Sequence, residues 1–117
     1  MIIAQRTLTV RTKSDEKEVL INIFIPIKDD SAWGCRTEIH WPEGVYESIV
    51  YGADSVQSLD IALQNVGAML YFSDYHKAGQ LRWGDNYKGY GFPVPKNARD
   101  LLFGDDAHFY GLDDADS

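Results

Sequence analysis

The sequence predicts an α+β fold in which four antiparallel strands form a meander, one long helix packs on one face of the sheet, and an irregular aromatic segment closes the core. Two patterns support this prediction. Apolar residues alternate with period two over residues 2–52 and recur at helical spacing over residues 54–73. The strands are joined by loops of about four or five residues, whereas a parallel crossover needs a dozen or more. A chain of 117 residues fits one domain, predicted here as residues 1–103.

The first predicted strand covers residues 2–12, where Leu8 and Val10 alternate with polar side chains as in a half-buried strand. A polar loop, residues 13–17, leads into the apolar run VLINIFIPI of residues 19–27. Apolar side chains occupy both faces of this second strand, so we expect it to be central and partly covered on both sides. Pro26 comes near its end, where the loss of a ladder hydrogen bond matters least.

The third and fourth predicted strands follow a turn at residues 28–31. The run AWGCRTEIHW alternates apolar and charged side chains from residue 32 to residue 41, with Cys35 on the apolar face between two tryptophans. A turn at residues 42–44 joins it to VYESIVYG, which ends at Gly52.

The long helix has a clear start signal. Asp54 or Ser55 can serve as N-cap, and the spacing from Asp54 to Gln57 resembles a capping box, in which Gln57 reaches back to the backbone donor of the cap. An apolar stripe at helical spacing then predicts the face that packs on the sheet. Its members are Val56, Leu59, Ala62, Leu63, Val66, Met69 and Leu70.

A second apolar stripe on this helix consists of Ile61, Ala68 and Phe72, with Asn65 among them. Two interpretations are open. The C-terminal third of the chain folds over the stripe, or the stripe contacts a second chain, because an uncovered apolar patch usually marks an interface. Ile61, Ala68 and Phe72 are therefore our candidate interface residues.

The segment from Tyr75 to Arg99 has no regular periodicity, but it is rich in aromatic residues and holds five basic side chains against one acidic one. Such a segment can bind a small anionic or aromatic ligand. The alternative is that its bases are scattered over a loop surface and its aromatic rings plug the edge of the core. The candidate ligand-binding residues are Arg82, Trp83, Tyr87, Lys88 and Tyr90.

The net charge of −7 is unevenly placed, since residues 104–117 hold five aspartates and no lysine or arginine. We expect these residues to form an acidic, flexible tail, although Phe109 and Tyr110 would allow it to dock. One hypothesis is that the tail screens the basic aromatic segment. The overall negative charge argues against binding to nucleic acid.

No enzyme signature is found. Cys35 and His40 differ by an odd number along one strand and so point to opposite faces, which favours Cys35 as a small buried hydrophobe. His76 near Asp74 is a weak candidate for an acid–base pair. The three histidines have no metal-ligand spacing, and Gly89-Tyr90-Gly91 lacks the rest of a dinucleotide fingerprint, so we expect no cofactor and no metal.

The number of cysteines and the lengths of the apolar runs predict where in the cell the protein is located. The single cysteine cannot form an internal disulfide, which fits a reducing compartment. No apolar run approaches the ~20 residues of a membrane span, and the first residues lack the apolar stretch of a signal peptide. We therefore expect a cytoplasmic protein with no membrane contact.

Four motifs resemble a pattern found in a family of small bacterial domains of unknown function. They are Trp33-Gly34-Cys35 in the third strand, the helix start G-x-D-S-x-Q-S-L from Gly52 to Leu59, and the pair Leu81-Arg82-Trp83 and Gly91-Phe92-Pro93. The resemblance covers about residues 5–95. It implies a compact α+β domain and brings no reaction, cofactor or catalytic residue.

The sequence therefore favours a non-catalytic interaction module that self-associates or binds a protein partner, through the helix stripe, an exposed strand edge or the aromatic segment. Neutralisation of a basic partner is one form of this function. The alternative is binding of a small anionic or aromatic ligand by residues 75–99, and an enzyme ranks third.

Overall fold

A computed structural model describes residues 1–111 and shows an α+β fold: a sheet of six antiparallel strands with one long helix packed against it. The strands are β1 (Ile2–Arg11), β2 (Glu16–Phe24), β3 (Ile27–Asp29), β4 (Ala32–Trp41), β5 (Gly44–Gly52) and β6 (Leu81–Arg82). The helices are α1 (Ser55–Phe72), α2 (Asp74–Lys77), a 3₁₀ helix (Lys96–Leu101) and α3 (Gly104–Phe109).

The four long strands form the predicted meander, but the predicted strand count is wrong by two. β5 pairs with one edge of β4, and β2 and β3 share the other edge; β1 and then β6 complete the sheet. Pro26 separates β2 from β3, because a residue without a backbone N–H interrupts the ladder. β6 has only two residues, which pair with Thr9 and Val10 of β1.

The start of α1 confirms the predicted cap. The Asp54 carboxylate accepts a hydrogen bond from the backbone N–H of Gln57 at 2.8 Å, and Gln57 Oε1 accepts one from Ala53 N at 2.6 Å. The returning bond therefore goes to the residue before the cap. Val56 was predicted to face the sheet, but it is 74% exposed, whereas Ser58 in the same turn is fully buried.

The core lies between α1 and the inner face of the sheet. Ala62, Val66 and Leu70 of α1 are buried there against Leu8, Val19, Ile21 and Ile39 from the strands. Cys35 belongs to this cluster and has no exposed surface, which confirms the prediction that it is a small buried hydrophobe.

The chain after β6 also packs against α1. Gly67 is the point of closest approach, since a Cβ added there would lie 2.0 Å from the carbonyl oxygen of Pro93. Tyr90, Phe92 and Val94 are buried in the same region. The aromatic segment thus closes the core on this side of α1, while Phe72 of the second stripe stays 50% exposed.

A short helix begins directly after the predicted boundary at residue 103. Residues 104–109 form α3, and Asp106 and Ala107 on it are buried. The buried side of α3 contacts the aromatic segment, from which Asp106 accepts hydrogen bonds. The rest of the predicted tail, residues 112–117, lies outside the described residues. No helix in the described part of the chain is long and apolar enough to cross a membrane.

Candidate functional site

The sheet face opposite α1, which we call the open face, is not covered by a helix in residues 1–111. Its side chains alternate with the buried ones and form rows across the strands. One row is polar and consists of Gln5, Asn22, Glu38 and Glu47, which are paired in register on β1, β2, β4 and β5. This row crosses the middle of the sheet.

Hydrogen bonds link the polar row from strand to strand. Gln5 Nε2 donates to Asn22 Oδ1 at 2.8 Å, and Asn22 Nδ2 donates to Glu38 Oε1 at 3.2 Å. His40 Nε2 lies 3.0 Å from the same oxygen of Glu38. The hydrogen bonds from His40 and Asn22 lower the pKa of Glu38. Because each member has a partner on the next strand, the row specifies the strand register.

Arg36 neutralises the acidic end of this row. Its Nη1 atom lies 2.6 Å from Glu47 Oε2 and 3.7 Å from Glu38 Oε2. The guanidinium carbon also lies 3.9 Å from the centroid of the Phe24 ring. Glu38 and Glu47 face each other directly, and Arg36 offsets the repulsion between them.

Next to Arg36 the open face becomes apolar. Five large side chains line a groove of about 490 Å³ at this corner of the sheet. We call them the open-face patch: Met1, Ile25, Ile27, Ile49 and Tyr51, which are exposed by 82, 40, 64, 52 and 56%. Gly34 makes room for this arrangement, since a Cβ there would lie 3.0 Å from Tyr51 Cε1. Exposed apolar groups of this number in one place are typical of an interaction surface.

The patch continues to the edge strand β5. Within residues 1–111, β5 pairs with β4 alone, so its outer edge has unpaired backbone groups over nine residues. Natural edge strands are usually protected by lysine, proline or a bulge. The β5 sequence GVYESIVYG contains neither residue, and its pairing with β4 has no register shift.

The aromatic side chains of the candidate ligand-binding segment pack mainly inside the domain. Tyr90 is 1% exposed, and Trp83 lies under the guanidinium of Arg6, whose Cζ is 3.8 Å from a Trp83 ring centroid. Arg82 and Lys88 are exposed. The structure therefore does not bring the five candidates together as one open site, because the aromatic rings face inward and the bases face solvent.

Asp106 is the central contact of this segment, and sequence reasoning missed it. Its carboxylate is 3% exposed and accepts four hydrogen bonds. Two come from the backbone N–H groups of Tyr90 (2.8 Å) and Gly91 (2.9 Å), and two from the hydroxyls of Tyr87 (2.8 Å) and Tyr71. Asp106 thus contacts the aromatic segment through amides and a phenol, whereas Tyr110 of the tail contacts the guanidinium of Arg99, whose Cζ lies 4.4 Å from the ring centroid.

The phenols around Asp106 are strongly perturbed. Burial, the Asp106 hydrogen bond and the Asp106 charge together raise the pKa of Tyr87 to about 12. The pKa values of Tyr71 and Tyr90 are also raised, with burial as the largest cause. The cluster holds its phenols in the protonated form, in which those of Tyr71 and Tyr87 donate to the carboxylate.

Glycines are the sequence signal that could have indicated this cluster. Gly89 has φ +130°, and a Cβ there would lie 2.4 Å from the Asp106 carboxyl carbon. Gly104 has φ +59°, and its Cβ would lie 2.3 Å from Lys88 Cβ. Both positions need a backbone that approaches another segment closely.

The cavity beside this cluster, lined by Tyr87 and Asp106 among others, has a volume of about 80 Å³. Ligand pockets usually measure about 300–1,000 Å³. The cavity therefore has room for a few water molecules and not for a drug-sized ligand.

His76 does not form the suggested pair with Asp74. Its Nδ1 atom is hydrogen bonded to the Tyr90 hydroxyl, and burial lowers the pKa of the imidazole. No group of three or more histidine, cysteine or acidic side chains in the described chain could hold a metal ion.

The three candidate interface residues on α1 have different surroundings. Ala68 is 6% exposed, Ile61 is half-buried, and Phe72 is 50% exposed. Ala68 therefore has almost no surface to offer a partner. Phe72 lines a separate groove near the β4–β5 turn.

One family model matches residues 4–94, and its description is a domain of unknown function, DUF6968. The match covers the sheet, α1 and most of the aromatic segment, and it ends before α3. No curated protein and no solved structure matches the chain.

Proposed function

Because the chain belongs to the DUF6968 family, whose description assigns no activity, we propose its function from the geometry: a non-catalytic interaction module that forms a homodimer through β5. The observation behind this proposal is the unprotected outer edge of β5 beside the exposed open-face patch. Edge pairing would join two copies into one continuous antiparallel sheet.

The side chains of β5 suit a continuous sheet. Val45, Ile49 and Tyr51 lie on the open face and are each more than half exposed. In a two-fold pairing these side chains would lie beside their counterparts from the second copy. β-Branched and aromatic side chains make the most favourable cross-strand pairs, on the order of 0.2–1 kcal/mol each.

Charge also favours a second copy of the chain as the partner. Glu47 is the only charged side chain on β5, and Arg36 of the same chain lies 2.6 Å from it. Two β5 strands can therefore meet without an unpaired charge at their interface. An isologous contact of this kind closes on itself and gives a dimer rather than a filament.

A cytoplasmic location is part of this proposal. The chain has one cysteine, Cys35, and its thiol is buried in the core. Such a protein is independent of an oxidising compartment for its folding.

The experiment is sedimentation equilibrium of the native chain and of two matched variants. Ile49→Lys places a charge in the proposed contact, and Ile3→Lys makes the same change on β1, where Ile3 is 45% exposed. We expect a dimer for the native chain and for Ile3→Lys, and a monomer for Ile49→Lys with an unchanged circular dichroism spectrum. A monomeric native chain, or a dimer that Ile49→Lys leaves intact, would overturn the proposal.

A further inference from the structure

A second groove lies between the C-terminal end of α1 and the turn that joins β4 to β5. Its volume is about 580 Å³, within the usual range for small-molecule sites. Four aromatic side chains line it, Trp41, Tyr46, Phe72 and Tyr75, together with two carboxylates, Glu43 and Asp74.

The aromatic wall is held in place by contacts within the chain. Trp41 and Tyr75 stack with their ring centroids 5.3 Å apart and their planes at 18°. The Tyr75 hydroxyl donates a hydrogen bond to Glu43 Oε1 at 2.6 Å. These contacts connect β4, the turn and α2, so the groove does not need a ligand in order to form.

The charge of the groove is negative. None of its lining residues is basic, and neither Glu43 nor Asp74 forms an ion pair with a side chain in residues 1–111. Both carboxylates raise the pKa of Tyr75. The hydrogen bond to Glu43 is the largest cause, and the negative charges of Glu43 and Asp74 add to it. Aromatic faces and carboxylates without an ion-pair partner attract the same class of ligand, a cation.

We propose that this groove binds an organic cation, namely an alkylated ammonium group. The aromatic wall supplies cation–π contact and apolar surface for the alkyl groups, and Glu43 and Asp74 supply the counter-charge. A metal ion fits less well, since the groove brings together two carboxylates and no third acidic, histidine or cysteine ligand in the described part of the chain. An inorganic or phosphate anion is excluded by the two carboxylates.

The test is an NMR titration with tetramethylammonium chloride, at constant ionic strength maintained with sodium chloride. A second titration uses the amide of Nα-acetyl-trimethyllysine, which carries the same cation on a side chain. We expect saturable shifts of the Trp41 indole and Tyr75 ring signals. If both probes bind, the alkylammonium group alone is sufficient for binding. If only tetramethylammonium binds, the ligand is a small molecule; if only the trimethyllysine derivative binds, the ligand is a peptide side chain.

Matched variants distinguish binding in this groove from nonspecific attraction of a cation to an acidic protein. Glu43 and Asp74 are exposed, so Glu43→Gln with Asp74→Asn should leave the fold intact while it weakens binding by about tenfold. Asp60→Asn, an exposed carboxylate on α1, should leave the affinity unchanged. The proposal fails if neither probe gives a saturable shift, if sodium chloride gives the same shift, or if the double variant binds as well as the native chain.

Discussion

The carboxylate of Asp106 accepts a hydrogen bond from the hydroxyl of Tyr71 in the interior of the protein, although 35 residues separate them in the sequence. This contact joins α3 to the C-terminal end of α1. Because Asp106 also accepts from two backbone amides of the aromatic segment, one side chain connects three parts of the chain. The packing of the aromatic segment on α1 therefore depends on a residue beyond the family match.

The first prediction concerns the substitution Asp106→Asn. An amide has one acceptor oxygen, and its NH₂ group would face donors that now bond to the carboxylate. We expect the free energy of unfolding to fall by about 3 kcal/mol or more, since hydrogen bonds to a buried charge are worth roughly 1.5–3 kcal/mol each. Urea denaturation measures this loss. Asp100→Asn, an exposed aspartate in the 3₁₀ helix, is the control and should change the free energy by less than about 0.5 kcal/mol.

The second prediction is a loss of stability at alkaline pH. The folded state raises the pKa of Tyr87 to about 12, whereas an unfolded tyrosine titrates near about 10. Between these values the unfolded chain releases a proton that the folded chain retains, so the free energy of unfolding falls as pH rises. Urea midpoints should decrease across this window, and the decrease should be shallower in Tyr87→Phe. Midpoints that stay constant above pH ~10 would contradict this account of the phenol cluster.

The third prediction concerns Gly67 in the middle of α1. Helix propensity alone favours alanine over glycine by about 1 kcal/mol. The Cβ of alanine would, however, lie 2.0 Å from Pro93 O, a backbone atom that cannot move without displacing the aromatic segment. We expect Gly67→Ala to destabilise the protein by about 1–3 kcal/mol, as overpacking does. Thermal unfolding compares it with Gln64→Ala on the solvent side, where the change should be small; a stabilised Gly67→Ala would show that the two segments are not in contact.

The fourth prediction is that the thiol of Cys35 is protected. It has no exposed surface, burial raises its pKa, and its Sγ donates to the carbonyl oxygen of Phe24 at 3.4 Å. A thiol reagent should therefore modify Cys35 only as fast as the protein unfolds. Ser14→Cys adds an exposed thiol in the β1–β2 loop as an internal reference that should react at once. Equal rates for the two thiols would disagree with the structure.

The parts of the fold that local signals specify were predictable. The cap at Asp54 and the apolar spacing after it predicted a helix over residues 54–73, and α1 covers Ser55–Phe72. The alternation in β4 likewise predicted the burial of Cys35. Each of these signals lies within a few residues of the element that it specifies.

The cluster around Asp106 was not predictable in this way. Its four donors are 15 to 35 residues away in sequence, and two of them are backbone amides that no side-chain pattern indicates. A short acidic segment with glycines is also typical of a solvated terminus. The open-face patch was missed for a related reason: the apolar residues on both faces of the second strand predicted coverage on both sides, but the sheet is covered by α1 on one side alone within the described chain.

Hydrogen exchange along β5 tests the proposed dimer most directly. If two copies pair through this strand, the amides on its outer edge form hydrogen bonds only in the dimer, so their exchange should slow as protein concentration rises. The free edge of β1, residues 2–8, is the reference and should exchange at the same rate throughout. Exchange of the β5 amides that does not depend on concentration, in a chain that remains folded, would contradict the account.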